Sequence, residues 1–149
     1  MNVVSRTRTM AASPEQIWEV LADFGAISTW APTADHSCLL GADDGGGVGT
    51  TRRIQTGRMT LVERVVTWDE PETLAYDIEG LPSVVRLARN EWRLEPAGAA
   101  TVVTLTSMSD CGPRPPQKLI ARIVGFCLAR ASTSMLAGLN DFLEERSHG

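Results

Sequence analysis

The last thirty or so residues constrain this chain most. The stretch "QKLIARIVGFCLARASTSMLAGLNDFLEER" (117–146) predicts a single helix of about thirty residues, roughly 45 Å long. Ile120, Val124, Cys127, Ala131, Met135, Leu139 and Phe142 recur along it mostly three or four apart, a stripe that must lie against something large and apolar. The chain between about 34 and 110 supplies the partner. Its runs of Val, Thr, Ile and Trp are interrupted by turn chemistry at "GADDGGG" (41–47), Gly57, "DEPE" (69–72), "GLP" (80–82) and "PAG" (96–98). Six strands joined so briefly can pair economically only as an antiparallel meander.

Ahead of the meander, residues 2–11 read as a first strand. "SPEQIWEVLADFG" then predicts a helix with Ser13 as N-cap, Pro14 in the first turn, Gln16 completing a capping box and Gly25 at the end. Its apolar stripe is Ile17, Trp18, Leu21 and Phe24. "AISTWAP" predicts a second short helix, with Trp30 buried and Pro32 stopping it; both Trp18 and Trp30 read as packing residues. The expected architecture is therefore α+β in one domain spanning 1–149: a strand, two short helices, six strands and a closing helix. A chain this long buries roughly 70% of its unfolded surface around one core.

Several functions are disfavoured by composition. A net charge of −4 offers no basic stripe for nucleic acid. No segment has signal-peptide form and none approaches the ~20 apolar residues of a membrane span, so a cytoplasmic protein without integral membrane association is expected. Cys38, Cys111 and Cys127 have neither disulfide-framework nor zinc spacing and read as buried reduced thiols, and the only histidines are His36 and His148, so no metal site is expected. "GADDGGGVG" lacks the Lys-Ser/Thr of a phosphate loop and reads as a hairpin loop, and no cofactor is expected. There is no Gly-x-Ser-x-Gly elbow, and His36 with Cys38 lacks an orienting carboxylate, which disfavours covalent catalysis.

One strand poses a sharper question. "VERVVTW" (62–68) sets Glu63 beside Arg64 in a run of β-formers, and strand alternation sends neighbours to opposite faces, so one charge must point inward. Periodicity leaves open which one.

The order of elements, with "ASPEQIWEVLADFGAISTWAP" and "VGTTRRIQTGRMTLVERVVTWDEPETLAYDIEG", resembles the START-like superfamily that includes bacterial polyketide cyclase/dehydratase and lipid-transport proteins. The resemblance covers nearly the whole chain. It implies a helix-grip fold: a curved seven-stranded antiparallel sheet wrapped around a long C-terminal helix, with a cavity between them for an apolar ligand. It also implies the phase of the strand, with Met59, Leu61, Glu63 and Val65 inward and Arg64 outward. On the same footing Ile54, Tyr76, Ile78, Asn90, Trp92, Val103, Leu105 and Ser107 should face the cavity, with Cys127, Ala131 and Met135 as its lid. Asn90 stands where many members carry an aromatic residue, so no relative's specificity transfers.

An inward Glu63 costs several kcal/mol of desolvation unless paired, hydrated or protonated. Arg52 or Arg86 could pair with it from a neighbouring strand. Alternatively the carboxyl recognises a ligand through water or a hydroxyl, or performs acid/base chemistry with Arg52 or Tyr76. Three functions follow: a binder of a small, largely apolar molecule, monomeric or homodimeric; an aromatase/cyclase or dehydratase; and a protein-interaction module, marked by an exposed apolar patch.

Overall fold

Alternation governs the sheet. In the strand Ala100–Asp110 every second residue from Thr101 to Ser109 is buried, and in Leu87–Ala97 the same holds from Ala88 to Leu94. Each strand thus presents one buried row to the core and one more exposed row outward, and the buried rows include Asn90, Thr101, Ser107 and Ser109. The computed structural model describes residues 2–41, 46–112 and 115–148. The centre of the glycine-rich loop (42–45), residues 113–114 and the side chains of residues 115–118, 121 and 148 lie outside that description.

The elements run β1 (Asn2–Met10), α1 (Pro14–Ala22), a 3-10 helix (Phe24–Thr29), β2 (His36–Leu40), β3 (Thr51–Thr56), β4 (Met59–Asp69), β5 (Thr73–Glu79), β6 (Leu87–Ala97), β7 (Ala100–Asp110) and α2 (Pro115–His148). One antiparallel sheet has the order β1-β7-β6-β5-β4-β3-β2. It is the expected meander from β2 to β7, with β1 closing onto β7. The arrangement is the seven-stranded helix-grip fold with two short helices after the first strand.

Ser13 caps α1 as its sequence predicts: its Oγ accepts from Gln16 N at 3.1 Å, while Ser13 N donates to Gln16 Oε1 at 2.9 Å. The helix stops at Ala22, three residues earlier than expected. Asp23 at φ −75, ψ 69 leaves the helical region, and the chain re-enters as the 3-10 turn that begins with Phe24. This break swings Phe24 off the α1 stripe and toward the sheet. Trp18 and Trp30 pack edge-on against Trp68 and Trp92, with ring centroids 5.3 and 5.8 Å apart. A register shift between Val65 and Thr67 inserts Val66 as an extra residue in β4. The bulge restores Trp68 to the inner face, where α1 awaits it.

The helix α2 lies over β1 and β7, and two glycines allow it to come close. A Cβ at Gly138 would collide with the Trp30 carbonyl and Pro32, and one at Gly125 with the Asn2 side chain. Among the described residues, the buried positions of α2 are Gly125, Ala129, Ser132, Met135, Leu136, Leu139 and Asn140. This face is rotated from the stripe drawn on the sequence. Cys127, expected on the lid, is exposed, because five residues at ~100° each carry it about 140° around the helix from Ser132. Ala131 is half-buried at the margin, and Met135 is buried. Cys38, on edge strand β2, is also exposed, so only Cys111 fits the expectation of a buried thiol.

Candidate functional site

The site begins with the register of β3 and β4. Arg52 stands opposite Glu63, and both are on the inner face. Glu63 and Arg64 thus separate as strand geometry demands, Glu63 5% exposed and Arg64 out in solvent beside Glu79. Arg52 Nε donates to Glu63 Oε1 at 2.8 Å, and its Nη2 lies 2.7 Å from the same oxygen. Arg52 Nη1 donates to the Phe24 carbonyl at 3.0 Å. The guanidinium carbon sits 3.7 Å from the Phe24 ring centroid and 4.7 Å from that of Tyr76. Two aromatic faces therefore solvate a cation that the core would otherwise reject. Arg86, the alternative partner for Glu63, is exposed, since it lies in the β5–β6 loop before the inward phase of β6 begins.

A second polar group crosses the next three strands and reaches the helix. Tyr76 pairs with Asn90 between β5 and β6, and Asn90 with Ser107 between β6 and β7. Asn90 Nδ2 and Trp92 Nε1 donate to the Tyr76 hydroxyl at 3.4 and 3.3 Å. Ser107 Oγ donates to Asn90 Oδ1 at 2.7 Å and lies 3.2 Å from Ser132 Oγ on α2. On the outer face the adjacent pair Asp77 and Arg89 forms an ion pair at 2.5 Å. The alternation of strands thus separates a solvated charge pair from a buried neutral network one residue away.

Burial sets the protonation of both groups. It pushes the Glu63 carboxyl up from the ordinary carboxylate range, against the opposing pull of the Arg52 charge and hydrogen bond. It also raises the Tyr76 phenol, helped by the Glu63 charge, so Tyr76 is a neutral O–H donor at physiological pH. Among the described residues nothing bonds Glu63 Oε2, and nothing accepts the Tyr76 hydroxyl proton. An acceptor and a donor therefore stand unspent on diagonal neighbours of one face, since Tyr76 is opposite Val65, two residues from Glu63.

Around them the wall is apolar. Ile54, Trp92, Val103 and Leu105 are buried, Leu61 and Ile78 half-buried, and Met59 is 37% exposed. Exposure thus rises along the inner row of β4 from Val65 to Met59, toward the β3–β4 hairpin. Two shallow depressions of about 230 and 270 Å³ flank the exposed Glu19–Arg146 pair where α1 meets the end of α2, and they share none of these residues. Chemistry, not depression size, picks the concave face as the candidate site.

Phe24, Ser132 and Ser109 belong to this region and were not among the expected site residues. Ser109 Oγ is buried with no hydrogen-bond partner among the described residues. Ser132 had a visible signal, a hydroxyl within the apolar face of a core helix; Phe24 had none, because its role depends on the break at Asp23.

Fold and site together define a helix-grip domain whose concave sheet face carries a small polar set in an apolar wall. The chain belongs to the polyketide cyclase/dehydrase and lipid transport family, whose profile matches residues 1–144. Similar solved structures include a protein from Thermobifida fusca, 26% identical over 94% of this chain and 91% of that one, at TM-score 0.74. The Zhui aromatase/cyclase from Streptomyces sp. R1128 is 21% identical over 98% of this chain and 95% of its own, at TM-score 0.76. A START superfamily protein from Mycobacterium smegmatis is 19% identical over 95% and 98%, at TM-score 0.72. No functionally curated protein matches the chain.

Proposed function

We propose that the concave face binds a small, largely apolar molecule, a lipid or a polyketide-like compound, that carries at least one hydroxyl or carbonyl. The observation that carries this reading is the pair of unspent groups, Glu63 Oε2 as acceptor and the Tyr76 O–H as donor, in a wall otherwise built of Ile54, Leu61, Ile78, Trp92, Val103 and Leu105. A few convergent polar groups in an apolar concavity orient such ligands. In this reading Asn90, Ser107 and Met135 complete the ligand's surroundings, with Met59, 37% exposed, at the rim. The family to which the chain belongs supports an apolar ligand without naming it. Three unpaired cysteines, two of them exposed, fit a reducing compartment such as the cytoplasm, where the protein would act as a monomer or homodimer. The test is mass spectrometry of what copurifies with native protein, followed by thermal shifts. A ligand at a hundredfold excess over Kd adds about 2.7 kcal/mol and should raise Tm by roughly 5–10 °C. No copurifying molecule and no shift across fatty acids and polycyclic phenols would reject the reading.

A second reading, aromatase/cyclase or dehydratase chemistry, is favoured by one observation: a carboxyl pushed upward stands beside a phenol that stays protonated. In that reading Glu63 moves the proton in aldol condensation and loss of water, Tyr76 donates to the reacting carbonyl, and Arg52 is the counter-charge of Glu63. Glu63→Gln then keeps binding within about tenfold but loses roughly 10²–10⁴ in rate. A carrier keeps binding and shows no turnover in either form.

A further inference from the structure

A helix packed on one side of a sheet needs one apolar face, and α2 has two over its N-terminal half. Leu119, Ile123 and Phe126 are 62%, 57% and 64% exposed. At ~100° per residue Ile123 falls about 180° from Ser132, which touches the sheet, and Leu119 and Phe126 fall within about 60° of Ile123, both to the same side. None of the three contributes to the core.

The charge along this stretch of sequence is one-sided. Residues 111–140 contain Arg114, Lys118, Arg122 and Arg130 and no Asp or Glu, so with a net charge of −4 overall the rest of the chain carries −8. Arg122 and Arg130 are exposed, and among the described residues neither forms an ion pair; Arg130 lies 6.0 Å from the Phe126 ring centroid. We propose that this outer face of α2, Leu119, Ile123 and Phe126 flanked by Arg122 and Arg130, docks the protein on an anionic lipid surface. Large apolar side chains enter the interface while arginines meet the headgroup charge, a combination suited to peripheral binding.

A second copy of the chain fits less well. Two-fold pairing would bring this cationic face against itself with no acid on it to compensate, and three side chains fall well short of the ~800 Å² per partner of a stable dimer. The inference goes beyond the cavity reading, since docking uses the helix face turned away from the sheet.

Vesicle sedimentation tests it, using phosphatidylcholine with about one third phosphatidylserine, against phosphatidylcholine alone. Wild type is expected to bind the anionic vesicles at least tenfold more tightly and to be released as salt rises toward about 0.5 M. Ile123→Ser with Phe126→Ser, and separately Arg122→Gln with Arg130→Gln, should each weaken binding roughly tenfold or more while leaving Tm within a degree or two, as all four side chains are exposed. Absence of sedimentation with anionic vesicles, or binding unchanged in both variants, overturns the proposal. So does a wild-type dimer in light scattering that the Ser variant dissociates, which would assign the face to a second copy. Ligand-induced thermal shifts read the concave face and are independent of either result.

Discussion

Arg52 and Glu63 face each other directly across β3 and β4, joined by an ion pair whose side chains are only 3% and 6% exposed. Desolvation of both charges offsets most of their attraction, so the pair is not itself a large source of stability. Removing one partner is another matter, because it strands the other charge. Arg52→Met should cost about 3–5 kcal/mol in urea unfolding at neutral pH. Adding Glu63→Leu should recover most of that loss. Additive losses in the double variant would show that the two residues do not act as a pair.

Glu63 also sets a pH dependence. Burial raises its carboxyl above the unfolded value, so the native state keeps the proton to higher pH than the unfolded chain does. The stability tied to this group is full below the unfolded value, about 4.3, and is lost as pH rises through the native one. Glu63→Gln cannot titrate. The stability of wild type minus that of the variant should therefore shrink as pH rises above about 4, measured by urea unfolding at each pH. A difference that grows with pH would mean that the Arg52 attraction outweighs burial.

Ser107 and Ser109 sit two residues apart on the same row of β7 with opposite hydrogen-bond status. Ser107 links Asn90 to Ser132, so Ser107→Ala should lose about 1–2 kcal/mol. The Ser109 hydroxyl has no partner among the described residues, so Ser109→Ala should be neutral or gain up to ~1 kcal/mol. Chemical denaturation of the two variants decides, and a Ser109→Ala loss as large as that of Ser107→Ala would contradict the contrast.

Thiol labelling checks the rotation of α2. Cys38 and Cys127 should react in the native state at rates near those in denaturant, and Cys111 orders of magnitude more slowly. A native-state Cys127 as slow as Cys111 would place it back on the lid.

Much of the fold was legible because its signals are local. The capping box at Ser13 and Gln16, the turn chemistry between strands and the length of α2 all act within a few residues. The rotation of α2 was not legible. Its N-terminal half is apolar on both faces, so the stripe through Cys127 and the one through Gly125, Ala129 and Ser132 compete, and only the close approach at Gly125 and Gly138 selects the second. The phase of β4 required the family resemblance, after which Arg52, Glu63, Tyr76, Asn90, Trp92 and Ser107 all fell on the inner face. Arg86 misled because a strand phase was extended into a loop. Phe24 could not be read, since its contact with Arg52 depends on the break at Asp23.

The central claim is that a ligand is oriented over Glu63 and Tyr76, and calorimetric titration of a polycyclic phenol tests it most directly. Saturable one-to-one binding to wild type is expected, with Tyr76→Phe weakening the phenol about tenfold, or ~1.4 kcal/mol. The matching hydrocarbon without a hydroxyl should bind both proteins alike. Phenol affinity unchanged in both Tyr76→Phe and Glu63→Gln, or no saturable binding at all, would contradict a ligand held at these two residues.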